Sequence, residues 1–178
     1  MWGPMSTTKE QETRVPGPIR GGVRIVTGLL EGAWALVFGP PDLGPVDFAT
    51  LTRRRTPNDA LVAPEGFCGH AEVDRAAPVF PVPAERLRAV LAEVALSERG
   101  TTRLAATGAQ DRFLVRTPFF RFPDTVNAEA VPRGEGEAAL ALYSRSQIGG
   151  YDFGVNGARL ARWLARVDER LKAERGSA

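Results

Sequence analysis

Between Thr101 and Ser146 the chain leaves no room for a helix. Four runs suited to extended backbone follow one another: Thr101 to Thr107, Arg112 to Phe122, Thr125 to Val131 and Glu137 to Ser146. Gly108-Ala109-Gln110-Asp111 and Arg133-Gly134-Glu135-Gly136 separate them as turns. Turns this short force successive strands to run antiparallel, because a parallel return needs a crossover of about a dozen residues. Phe113 and Val115, then Phe120 and Phe122, recur at the two-residue spacing of a half-buried strand. Pro118 interrupts the second run and predicts an edge position or a bulge there.

Two amphipathic segments flank this meander. Leu87, Val90, Leu91 and Val94 recur at i, i+3, i+4 and i+7 and predict a helix over Pro83 to Ser97, with Gly100 at the stop. Leu160, Trp163, Leu164, Val167 and Leu171 predict a second helix over about Asn156 to Glu174. Beside that stripe runs another of Arg159, Arg162, Arg166 and Arg170, whose stems suit apolar cover and whose heads suit water or an acidic partner. The order predicts an α+β fold: a four-stranded antiparallel sheet with an N-terminal-side helix and a C-terminal helix packed on one face.

The remainder divides by composition. Met1 to Arg20 is polar, broken by Pro4, Pro16 and Pro18, and reads as a mobile arm. Residues 21–44 form a short apolar docking segment and linker, and residues 45–174 a single α+β domain. Gly21 to Phe38 is too short and too interrupted by Arg24, Gly28, Glu31 and Gly32 to span a bilayer, and it makes a poor signal peptide. Val23, Ile25, Leu29, Leu30, Trp34 and Phe38 would instead dock on protein or lie against a lipid surface. A cytoplasmic protein, peripheral to the inner membrane where that segment meets lipid, is the resulting expectation. Pro40 to Pro64 reads as an irregular linker, with Arg53-Arg54-Arg55 a solvated charge run or a contact for acidic headgroups.

Composition removes several chemistries. Lys and Arg number 23 against 21 Asp and Glu, a net charge of +2, so the broad positive field of a nucleic-acid binder is missing and nucleic acid is not an expected partner. A single cysteine, Cys68, excludes an internal disulfide, and a single histidine, His70, excludes any mechanism needing two. In a strand, Cys68, His70, Glu72 and Asp74 would share one face, an arrangement suited to metal ligation. Pro64, Gly66 and Gly69 mark that stretch as loop, and the plainer alternative is a buried Cys68 and a hydrogen-bonded His70. Arg116, Arg121 and Asp124 surround Phe119-Phe120, an arrangement that stacks on bases or simply gives a core face and a solvated face. No catalytic set and no cofactor are expected.

The densest polar stretch is Tyr143 to Asn156, between the last strand and the last helix. Ser144, Arg145, Ser146, Asp152, Asn156 and Arg159 are the candidate ligand-binding residues. Backbone N–H groups at a helix start, with arginines near, suit a phosphate or carboxylate. The alternative is structural: Asp152 or Asn156 caps the helix, Arg145 pairs with Asp152, and the glycines make the turn.

Pro57-Asn58-Asp59-Ala60-Leu61, Pro64-Glu65-Gly66-Phe67-Cys68, Pro78-Val79-Phe80-Pro81-Val82-Pro83, Arg121-Phe122-Pro123-Asp124-Thr125-Val126, Tyr143-Ser144-Arg145-Ser146 and Gly150-Tyr151-Asp152-Phe153-Gly154-Val155-Asn156 with Arg159 together resemble the uncharacterised domain-of-unknown-function family 1499. The resemblance covers about residues 45–172. A common form of the last motif ends Asn-Arg, and Gly157 replaces that arginine here. The resemblance implies one compact α+β domain, found in bacteria and plastid-bearing organisms and often behind an N-terminal membrane segment. It implies no activity. The expectation is a non-enzymatic accessory or ligand-binding domain. Arg145, Asp152 and Asn156 would hold the polar head of a small amphipathic or anionic ligand at the mouth of an apolar cavity. The alternatives are a peripheral subunit of a membrane protein assembly, or a hydrolase or transferase using Asp152 and Arg145.

Overall fold

A computed structural model of the chain describes residues 42–53, 55–118 and 121–177. The mobile arm and the apolar run Val23 to Phe38 lie outside the described residues, as do Arg54, Phe119 and Phe120. Among the described residues no helix is long and apolar enough to cross a membrane.

The architecture is α+β, in the order β1 (Asp59–Ala63), β2 (Arg75–Ala76), β3 (Val79–Phe80), α1 (Ala84–Ser97), β4 (Thr101–Thr107), β5 (Gln110–Arg116), β6 (Pro123–Gly134), β7 (Glu137–Ser146) and α2 (Val155–Gly176). The expected four strands form the antiparallel meander β4-β5-β6-β7. Among the described residues the sheet is larger than expected, with seven strands in the order β2-β1-β7-β6-β5-β4 and β3 also on β7. The correction comes from the stretch read as linker. β1 is the unbroken apolar run Ala60-Leu61-Val62-Ala63, which pairs antiparallel with β7 from Asp59↔Arg145 to Val62↔Leu142. It is buried on both faces, so no alternation marks it. β2 and β3 have two residues each, too few for any period to appear.

The second meander strand ends at Arg116, short of the expected Phe122. Pro118 has no N–H for the ladder. Thr117 N–H instead donates to the Phe122 carbonyl at 3.1 Å, and Arg121 turns the loop with φ 52°. β6 then runs from Pro123 to Gly134, past the expected ends, and shifts register between Pro132 and Gly134. Gly100, the turn before β4, has φ 86°, and a Cβ there would lie 2.9 Å from the Arg116 carbonyl oxygen. Only glycine fits that approach.

Both helices pack on one face of the sheet, as the stripes predict. Leu87, Val90, Leu91 and Val94 of α1 and Leu160, Trp163, Leu164, Val167 and Leu171 of α2 are buried there with Val62, Phe113, Val126 and Leu142. Trp163 meets Phe113 edge-on, 5.7 Å between centroids. Each such fully buried Leu or Phe stabilises the fold by about 1.5–3 kcal/mol. These side chains form the main apolar core between sheet and helices. Ion pairs Arg86–Glu174 and Arg170–Glu93 join the two helices outside.

The opposite face is also covered. Phe48, Leu51, Leu61, Ala63, Val131, Ala141 and Tyr143 form a second apolar cluster, with Phe67, Cys68 and Val73 against it. Residues 42–51 strap across this face. Arg112 pairs with Asp42, Asn127 Nδ2 donates to the Gly44 carbonyl, and Gln110 exchanges two hydrogen bonds with the Val46 backbone.

Candidate functional site

Side chains alternate across β7, and this alternation divides the six candidate residues. Ser144 and Ser146 point to the helix face; Arg145 shares the other face with Tyr143. The helix-face group is assembled where β7 leads into α2. Gly154 enters the helix with φ 75°, preceded by Phe153 at φ 55°. Asp152 caps it, Oδ1 accepting from Gly154 N–H at 2.9 Å and Oδ2 from Asn156 N–H at 3.0 Å.

Asn156 is the hub. Its Oδ1 accepts from Ser144 Oγ at 2.5 Å and Arg159 Nη1 at 2.7 Å. Its Nδ2 donates to the Asn58 carbonyl, to Ser146 Oγ and to Asp152 Oδ2, at 2.8–3.1 Å. Asn58, itself buried, donates to the Gly149 carbonyl at 2.7 Å and so fastens the chain before β1 to the same loop. These groups satisfy one another, so their first role is to fix α2 against β7 and β1. A Cβ on Gly157 would lie 3.9 Å from the Ala60 Cβ, an ordinary contact.

Arg159 links this hub to the outside. Nη1 donates to Ser144 Oγ at 3.0 Å, and Nη2 pairs with the buried Asp124 at 2.6 Å. Nε has no hydrogen-bond acceptor and lies 3.9 Å from Glu98 Oε1. Glu98, at the end of α1, accepts from Trp163 Nε1 at 2.8 Å and Arg162 Nη2 at 3.0 Å. Here the surface opens into a cleft of about 330 Å³ between the end of α1, the loop after β5 and the start of α2. Among the described residues five arginines line it, Arg99, Arg116, Arg159, Arg162 and Arg166, with one carboxylate, Glu98. Val115, Pro118 and Val155 supply its apolar wall. Of the six candidates only Arg159 reaches this cleft. The arginine stripe of α2 contains three of its five cations, but nothing in the sequence places Arg99 and Arg116 opposite them.

The strap side of the sheet holds a second polar group. Asp59 Oδ2 accepts from Tyr143 OH at 2.7 Å, and its Oδ1 accepts from Arg53 at 2.6 Å. Arg53 also binds Asp74, whose Oδ2 accepts from Leu61 N–H. Burial, and then the Asp59 carboxylate, push the Tyr143 phenol well above its ordinary pKa. Arg145 stands over the Tyr143 ring at 5.8 Å and takes no part in the Asp152 cap. Arg53 is thus an internal tie, while Arg55 is exposed on the rim of a cleft of about 470 Å³. His70 is exposed on that rim, and Cys68 is half-buried, its thiol pKa raised by burial. Among the described residues no group of three His, Cys, Asp or Glu is arranged to hold a metal ion.

A family model described as "Protein of unknown function (DUF1499)" matches residues 54–167, from the loop before β1 to the middle of α2. The chain belongs to the DUF1499 family. Asn58, Asp124, Ser144, Ser146, Asp152, Asn156 and Arg159 all fall inside the DUF1499 match, as do the other four cleft arginines. A search of the curated proteins returned no match. Among solved structures, the crystal structure of TTHA0849 from Thermus thermophilus is similar over 65% of this chain and 98% of that one, with 14% identity and a TM-score of 0.33.

Proposed function

We propose that this DUF1499 domain is a non-enzymatic binding domain whose ligand is a small anion, a phosphate or carboxylate group, held in the arginine cleft. The observation that carries the reading is the composition of that cleft: among the described residues five arginines line it with one carboxylate, Glu98, which Trp163 and Arg162 already engage, and Arg99 and Arg166 stand exposed. Arg159 forms its floor with a side chain only 3% exposed. Asp124, Ser144 and Asn156 fix that guanidinium before any ligand arrives, which lowers the ordering cost of binding. Planar guanidinium groups suit the paired oxygens of phosphate and carboxylate. The apolar wall of Val115, Pro118 and Val155 leaves space for a short hydrocarbon part.

The network around Asn156 is, in this reading, the support of the site and not its contact surface. Inorganic phosphate, pyrophosphate and glycerol phosphate are the probes, titrated calorimetrically at low and high salt. Binding should weaken with salt and fall about tenfold or more when Arg162 or Arg166, both exposed, becomes alanine, since a hydrogen bond to a charged group is worth about 1.5–3 kcal/mol. Unchanged affinity in both variants, with the fold intact, would place any anion elsewhere.

A further inference from the structure

Four of the six large apolar side chains exposed among the described residues gather at the cleft end of the sheet: Phe122, Tyr151, Phe153 and Val155. The topology puts them there. β5 ends, β6 begins and β7 ends on this side, and Gln147 N–H donates to the Pro123 carbonyl at 3.0 Å, joining the two loops. Phe122 N–H donates to Oγ1 of Thr117, which lines the cleft, and Val155 lines it too. Phe153 is 85% exposed and Tyr151 59%, their rings edge-to-face at 4.9 Å. Phe153 holds its ring outward from a left-handed backbone, φ 55°, a conformation that disfavours a bulky residue. Single exposed apolar side chains are ordinary; a group of them beside a cationic cleft is not.

From this we infer that Thr117, Arg121 and Phe122, together with the loop 147–155, form a docking surface for an anionic lipid bilayer. Tyr151, Phe153 and Phe122 enter the headgroup region, and the cleft arginines meet lipid phosphates. The inference rests on the anion-binding reading above and names the source of the anion. Charge complementarity selects the lipid. Arg99 lines the cleft and Arg121 precedes Phe122, both exposed, while the carboxylates at this end are held within the fold, Glu98 by Trp163 and Arg162, Asp124 by Arg159 and Asp152 in the helix cap. Nucleic acid fits less well. The two exposed rings stand at 88° and give no parallel platform for successive bases, and the whole chain carries only +2. This surface is separate in sequence from the apolar run Val23 to Phe38.

The test is co-sedimentation of the full chain with vesicles of phosphatidylcholine alone and of phosphatidylcholine mixed with phosphatidylglycerol. Wild type is compared with Tyr151→Ser/Phe153→Ser and with Arg99→Glu/Arg121→Glu, all exposed positions, each checked for an unchanged melting temperature. Full chains keep the contribution of residues 1–41 constant. The expected result is preference for the anionic vesicles. Each arginine lost should lower binding about fivefold, and loss of the two rings about tenfold or more. Retention of wild-type vesicle binding by both variants overturns the inference. So does single-stranded DNA that binds through the same residues while vesicles do not. Pyrophosphate binding without vesicle binding overturns the lipid and leaves the anion-binding cleft standing; absence of both removes the two together.

Discussion

The Arg159–Asp124 pair sits where the fold and the cleft meet, and Asp124→Ala separates its two roles. The Asp124 side chain is 2% exposed and that of Arg159 3%, so neither charge has water to fall back on. Removing the carboxylate leaves a buried guanidinium with only the neutral Ser144 and Asn156 as direct partners and Glu98 at 3.9 Å. Breaking a buried pair from one side costs about 3–5 kcal/mol. At roughly 3–5 °C per kcal/mol for a domain of this size, the melting temperature should fall by about 10–25 °C. Urea unfolding followed by circular dichroism measures the free energy, with an unchanged slope showing that stability and not compactness has altered. Arg159→Met leaves Asp124 as the unpaired buried charge and should cost a similar amount, while Asp124→Ala with Arg159→Met should recover part of the single loss, giving a clear coupling in the double-mutant cycle. A loss below about 1 kcal/mol in Asp124→Ala would refute the reasoning. It would mean that Asp124 does not seat Arg159.

Asp111 gives a pH prediction. Burial alone would raise its pKa, but hydrogen bonds from Arg88 and Arg103 outweigh this and hold it below the ordinary 3.8. The stability it contributes is complete above that ordinary value and is lost as pH falls through the lowered one, so Asp111→Asn should flatten the acid limb of stability against pH in urea titrations. Gly100→Ala should destabilise by about 1–3 kcal/mol in thermal unfolding, because φ 86° and the Arg116 carbonyl both oppose a Cβ.

The helices and the meander are legible because each carries a repeat long enough to count. Leu87, Val90, Leu91 and Val94 could not share a face in any strand, and the turns around Gly108 and Gly136 leave no length for a crossover. β1 is illegible for the opposite reason. A strand buried on both faces shows no alternation, and Asp59–Ala63 sits between Pro57 and Pro64, which make the segment read as linker. The strap over the second face depends on Asp42–Arg112 and Gly44–Asn127, pairs separated by 70 and 83 positions that no local pattern encodes.

The candidate site shows the same division between local and distant information. Ser144, Ser146, Asp152, Asn156 and Arg159 stand out as a group because they are close in sequence, and the fold does bring them together. Proximity alone groups Arg145 with them, and the period of two in β7 sends it to the other face. The density of polar residues in that stretch has a physical source. A left-handed turn at Phe153 and Gly154 leaves the first N–H groups of α2 needing acceptors under a packed helix, and the Asn58 carbonyl, which already accepts from Ser146 N–H, has a second lone pair to fill. Asp152 and Asn156 answer that need, and a buried amide that answers several partners at once cannot also release them to a ligand without loosening the helix. A binding surface at this end must then lie outside the network. Arg159 is the one member with atoms on both sides, which makes its guanidinium the point at which occupancy of the cleft would be felt by the fold.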